Sequence, residues 1–176
     1  MSIQIIDQCK KEKTVYVFNS MFKEYPSWED FLNHLNYAFK DNNFGSGNVA
    51  AKEVINGVNF WQKLTMTVDN PTSDHYLHLD EYISVLKSIH PMEFQGCFSI
   101  ISLTDSEPTT GQHNDPVDVF YLQGVGKVIW KIRTEDKIDK YILNPGDVIF
   151  VPATVIHEIV SLSPRAALSF KFKENE

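Results

Sequence analysis

The chain has 176 residues, a formal net charge of −7 and 43% hydrophobic residues, which suits one soluble domain with a substantial core. Its acidic balance gives no general electrostatic reason to bind nucleic acid or an anionic membrane. No segment approaches the length of a membrane-spanning helix, Lys10, Lys11 and Lys13 are not followed by the apolar run of a secretory signal, and Cys9 and Cys97 stand far apart outside any CxxC, so reduced thiols and a cytoplasmic location are expected.

Residues 3–7 (Ile-Gln-Ile-Ile-Asp) and 14–18 (Thr-Val-Tyr-Val-Phe) read as short strands separated by a polar turn. Pro26-Ser27-Trp28-Glu29-Asp30 reads as a helix start, with Ser27 as the cap and acidic charge in the first turn. Phe31, Leu35, Ala38 and Phe39 then share one face, as in a helix packed outside a sheet. Asp41 to Asn48 is a polar, glycine-containing loop, and Val58 to Val68 alternates as a strand that stops at Asp69-Asn70-Pro71. The spacing of Leu79, Tyr82, Ile83 and Leu86 predicts a helix over Ser73 to Ile89, closed by Pro91. Asp74, His75, His78 and Asp80 crowd its start, but their spacing fits no metal-ligand pattern and they do not share a face; they read as a solvated first turn.

From Glu93 onward the pattern is β. Phe98 to Leu103 and Val117 to Gln123 read as strands, and Gly124-Val125-Gly126 as a tight turn that makes Lys127 to Arg133 a hairpin partner. Ile138 to Leu143 follows, then the turn Asn144-Pro145-Gly146-Asp147, then Val148 to Val151, Ile156 to Ser161 and Arg165 to Phe172. About seven short strands at roughly 8–12-residue spacing, with helices only in the first half, predict a mainly β fold. The expected architecture is a double-stranded β-helix, or jelly-roll, barrel with helices packed outside. It is one domain over residues 1–176, with the helical decoration mostly in 1–92 and the barrel core in about 93–172.

The chemistry concentrates between Thr110 and His157. His113-Asn114-Asp115 puts an imidazole and a carboxylate two residues apart, which on a strand turns both to one side. His157 lies on a later strand that a jelly roll can bring alongside. Two imidazoles and one carboxylate are what a facial triad for Fe(II) needs, with the remaining coordination positions left open.

Gly146, Pro152 and His157 are spaced like the second sequence motif of the cupins, with Thr154 where cupins usually carry glycine. The first half departs from them, since His-x-Asp replaces His-x-His. His-x-Asp with a distant His instead resembles the 2-oxoglutarate-dependent Fe(II) oxygenases. The stretch from His113 to Trp130 (His-Asn-Asp-Pro-Val-Asp-Val-Phe-Tyr-Leu-Gln-Gly-Val-Gly-Lys-Val-Ile-Trp) is similar to their JmjC and cupin-like branch, and most of all to bacterial ribosomal-protein hydroxylases. The likeness covers about 60 residues, Thr110 to Phe170, and touches the first 95 only through a Trp-Glu-x-Phe helix.

That resemblance implies an enzyme holding Fe(II) through His113, Asp115 and His157, with 2-oxoglutarate and O2 as co-substrates, that hydroxylates or demethylates a protein side chain or a small molecule. In that branch a Lys or Arg two residues after the last turn glycine holds the far carboxylate of 2-oxoglutarate; here the position is Val128. Prolyl-hydroxylase-like members take an Arg from the strand after the distal His, which points to Arg165 with Ser169 nearby. Thr110 matches a hydroxyl that JmjC-like enzymes aim at the same carboxylate. Tyr121 and Trp130 are candidate pocket walls, and Gln123 a candidate interior polar contact. Val128 keeps open a metal-dependent cupin, a dioxygenase or isomerase that does not use 2-oxoglutarate. A non-catalytic cupin binding module is the third reading. The substrate stays unnamed, and a homodimer through an exposed edge strand is among the expected partners.

Overall fold

The computed structural model describes residues 3–41, 65–103 and 111–174. Along the chain run α1 (Ile3–Glu12), β1 (Tyr16–Phe18), α2 (Trp28–Asp41), β2 (Thr65–Asp69), α3 (Leu79–Ile89) and β3 (Glu93–Ser102). Six further strands follow: β4 (Asp118–Val125), β5 (Val128–Arg133), β6 (Ile138–Leu143), β7 (Val148–Val151), β8 (His157–Ser161) and β9 (Arg165–Lys173). They form a six-stranded antiparallel sheet in the order β1-β7-β4-β9-β3-β2 and a three-stranded sheet in the order β6-β5-β8. The fold is mainly β, two facing sheets with helices outside, as the strand spacing led one to expect.

Strand alternation sorts the core into two layers. Tyr121, Val128, Trp130, Ile149, Val151, Ile159 and Ala167 meet between the sheets. Phe120, Leu122, Phe150, Phe170 and Phe172 point the other way and pack with Ile6, Phe31, Tyr82 and Leu86 of the three helices. The large sheet is thus covered on both faces, and β4 is buried along almost its whole length.

The helix α2 starts where its sequence says it should. Asp30 Oδ2 accepts from the Ser27 backbone N–H at 2.7 Å while Ser27 Oγ faces the Asp30 N–H at 3.4 Å, a reciprocal cap. Three expectations are corrected. Residues 3–7 are not a strand but the start of α1, which buries Ile6 and Cys9 at a spacing of three; alternation over five residues is too short to separate the two periods. The helix predicted from Ser73 begins only at Leu79, because residues 72–78 form turns, with His75 N–H and Tyr76 N–H both on Thr72 O.

The third correction concerns the turn at Gly124-Val125-Gly126. β4 and β5 do not pair: β4 lies between β7 and β9, and β5 between β6 and β8. The chain crosses from one sheet to the other here. A register shift between Gln123 and Val125 bends the strand, and Gly126 takes φ +75° at the corner. Of the remaining expectations, most of the Val58–Val68 strand, residues 42–48 of the Asp41–Asn48 loop, Thr110 and the side chain of Phe39 lie outside the described residues; Asp41 itself is the last residue of α2 rather than loop.

Candidate metal centre

His113 sits just before β4 and forms an antiparallel bridge with His157 at the start of β8. His113 N–H donates to His157 O at 2.9 Å, and His157 N–H to His113 O at 2.8 Å. Asp115, two residues on, is fixed through its own carbonyl, which accepts the Thr154 N–H at 2.8 Å. One ligand atom from each of His113, Asp115 and His157 lies within 4.8 Å of the other two. His157 Nε2 and Asp115 Oδ2 are 3.5 Å apart. The three residues named from the sequence are therefore one cluster.

Both imidazoles are prepared as ligands. His113 Nδ1 is 3.0 Å from Gly111 O, and His157 Nδ1 is 2.9 Å from Val155 O. A carbonyl oxygen only accepts, so each Nδ1 carries the proton and each Nε2 presents its lone pair. Such second contacts fix the tautomer and ring orientation of metal-binding histidines. Burial, outweighing the Val155 carbonyl and helped by His113, holds the His157 imidazole below its ordinary pKa, which favours the neutral form that a metal needs. Trp130 stacks on His157, with ring centroids 5.0 Å apart and 30° between the planes.

Deeper between the sheets lies a second polar group. Arg165 is fully buried at the start of β9. Its Nε donates to Ser161 Oγ at 2.9 Å and its Nη1 to Tyr121 OH. Tyr121 OH donates to Gln123 Oε1 at 3.0 Å, and Gln123 Nε2 donates to the carbonyls of Val125 and Gly126 at the sheet crossover. Tyr121 titrates above its ordinary range because of burial, against the pull of Arg165, so it stays a neutral hydroxyl.

Arg165 arrives beside Val128. Ser161 and Val128 are Cα partners across β8 and β5, and both are buried. The guanidinium is thus held by the cross-strand neighbour of Val128. Ser169 is buried on the same inner face, as the Cα partner of Tyr121. The serine hydroxyl on Arg165, beside that of Tyr121, is nevertheless Ser161, which the sequence reading missed; it follows from His157 by strand alternation, 157, 159, 161. Lys131 turns outward to Glu158 at 2.8 Å, as alternation required.

Solved structures place this architecture among known ones. An X-ray structure of ycfD from E. coli matches all of this chain over 54% of its own length, at 16% identity and a TM-score of 0.65. The structure of YcfD, a ribosomal oxygenase from Escherichia coli, in complex with cobalt and 2-oxoglutarate, matches 64% of this chain over 32% of its own, at 20% identity and a TM-score of 0.50. This chain shares its fold with these YcfD structures. The chain spans about half or less of the length of these neighbours. No family model and no curated protein sequence matches it.

The donor set fits a divalent metal. Two neutral imidazole nitrogens and one carboxylate within reach of one point make the two-histidine, one-carboxylate set, which suits Fe(II) with open positions. The bridge between His113 and His157 belongs to the backbone and involves no ligand atom.

Proposed function

We propose that this protein is an Fe(II)- and 2-oxoglutarate-dependent oxygenase, a hydroxylase or demethylase. The observation that carries the reading is the pairing of two tautomer-locked histidines with Asp115. His113, Asp115 and His157 would hold the iron. With its co-substrates the iron supplies oxidative C–H chemistry that no side chain provides.

The chain's own residues have simpler tasks. Arg165 would hold the far carboxylate of 2-oxoglutarate, since a planar guanidinium suits bidentate contact and stays charged when buried. Ser161 and Tyr121 orient it. Ser169 lies on the same face for a further hydroxyl contact, and Thr110 keeps its expected part in the same task. Trp130 keeps water from one side of His157. An iron-bearing, reduced protein of the cytoplasm is the setting this reading requires. No described helix is long and apolar enough to cross a membrane.

A metal-dependent cupin enzyme that dispenses with 2-oxoglutarate is the second reading, and Val128 favours it. Anaerobic titration of the Fe(II)-loaded protein with 2-oxoglutarate separates the two, because chelation of such an iron produces a visible metal-to-ligand charge-transfer absorption. Appearance of the band in the wild type, and a need for much more co-substrate in Arg165→Ala, is the expected result. A band that Arg165→Ala leaves unchanged would remove the arginine from its role. No band, with iron bound and lost again in Asp115→Ala, would transfer the case to the cupin enzyme.

A further inference from the structure

On the outer side of the barrel, at the end that carries the triad, an open groove of about 520 Å³ runs between the C-terminal end of α1 and the ends of β4 and β9. That volume is within the range of ligand-binding clefts. Lys10, Lys11, Lys13 and Lys173 line it, against the two carboxylates of Asp118 and Glu174. Its lining is therefore net positive in a chain of net charge −7. A local field opposed to the molecule's overall sign selects partners that the rest of the surface repels.

We propose that this groove docks an acidic peptide segment. Its floor is built and fixed. Asp118, buried, accepts the Ala153 N–H at 2.7 Å and lies 3.1 Å from His90 Nε2 and 3.5 Å from Lys10 Nζ. Lys13 Nζ donates to Ala153 O at 3.1 Å, which ties the end of α1 to the opposite wall. Little ordering remains to be done on binding. Lys11 and Lys173 stand exposed at the rim, and Lys11 makes no ion pair among the described residues.

One rim carboxylate decides between polyanions. Glu174, exposed, can accept an N–H group that a peptide backbone carries, whereas a phosphodiester backbone has no such donor and meets only repulsion from it; Asp118 is buried and already satisfied by Ala153, His90 and Lys10. The groove also borders the metal ligands: Pro116 and Val117 follow Asp115 directly, and Ala153 precedes Thr154, whose amide bonds the Asp115 carbonyl. A segment lying in it passes the loop that carries Asp115. The inference stands apart from the iron and 2-oxoglutarate reading.

The test is fluorescence polarisation of labelled hexaglutamate, with a labelled oligothymidylate of equal length as the comparison, in metal-free buffer at low and high salt. Hexaglutamate is expected to bind and to weaken as salt rises. The double variant Lys11→Glu/Lys173→Glu should bind about fivefold or more weakly, and Glu174→Gln, which keeps an acceptor oxygen but loses the charge that repels glutamate side chains, about twofold more tightly, with unchanged circular dichroism in both. Absence of hexaglutamate binding, or indifference of that binding to the double reversal, overturns the proposal. Tighter binding of oligothymidylate than of hexaglutamate also overturns it and assigns the groove to nucleic acid. Since neither metal nor 2-oxoglutarate is present, this experiment and the charge-transfer titration succeed or fail independently.

Discussion

The two sheets of this barrel face each other across one core yet live under different rules. The six-stranded sheet is covered on both faces, by the barrel interior on one side and by helices on the other. Its strands β4 and β9 are buried almost end to end. The three-stranded sheet is covered only within: β5 alternates buried and half-buried residues, and Ile142 on its edge strand β6 is 57% exposed. With its outer face sealed by aromatic packing, the large sheet can spend its inner face on polar groups such as Tyr121, Gln123, Arg165 and Ser169. The small sheet contributes His157 and Ser161 from its inner face and offers charged pairs such as Lys131 and Glu158 to water.

This contrast is sharpest in Phe120→Ala. The side chain is fully buried against His90, Phe150 and Phe172, and its removal should cost about 3–5 kcal/mol in chemical denaturation. A loss below about 1 kcal/mol would mean that the helices do not seal this face.

The sealed face also traps a titratable group. His34 is buried with Nδ1 2.8 Å from Ser99 Oγ and 3.2 Å from Tyr76 OH. Burial, with His75 nearby, lowers its pKa to about 4. Below the ordinary histidine value the unfolded chain takes up a proton that the folded chain refuses. The stability contributed by a neutral His34 is therefore full above that value and falls as pH drops toward 4, by about 3 kcal/mol in all. Urea midpoints measured at pH 7 and pH 4 should show that loss in the wild type and a smaller one in His34→Gln; equal losses would take His34 out of the acid response.

A smaller effect is expected where the chain turns beside the metal ligands. Thr154 adopts φ +70°, an uncommon conformation for a β-branched residue. Its N–H holds the Asp115 carbonyl, so the strain sits within the triad's support. Thr154→Gly should raise stability by about 1 kcal/mol, read as a higher urea midpoint with iron binding retained. The smallest change belongs to the open face of the small sheet: Ile142→Ala should change the unfolding free energy by less than about 0.5 kcal/mol. A larger loss there, dependent on protein concentration, would reveal a second copy covering β6.

Much of the site could be read in the sequence because its signals are local. His113 and Asp115 are two residues apart, so one short stretch presents both, although that stretch precedes β4 and is not the strand start that the spacing suggested. The Ser27–Asp30 cap is equally local, and so is the outward turn of Lys131. The misread elements are those where a short segment satisfies two periods or where a neighbour comes from far along the chain. Ile3 to Asp7 alternates like a strand but finds no strand to pair with, and its apolar residues serve a helix. The Gly124-Val125-Gly126 turn looks like a hairpin, yet each strand it joins has two better partners in a different sheet.

Residue order by itself determined the β-rich class and the outward turn of Lys131, because these depend on periodicity within a few residues, and its motif spacing named the three residues that cluster as His113, Asp115 and His157. Only the tertiary structure decided that β4 and β5 part company, that Ser161 rather than Ser169 holds Arg165, and that this arginine reaches the space beside Val128. Those outcomes depend on which distant strands become neighbours. That choice comes from packing two sheets and three helices around shared cores, and a period of two along one strand carries no information about it.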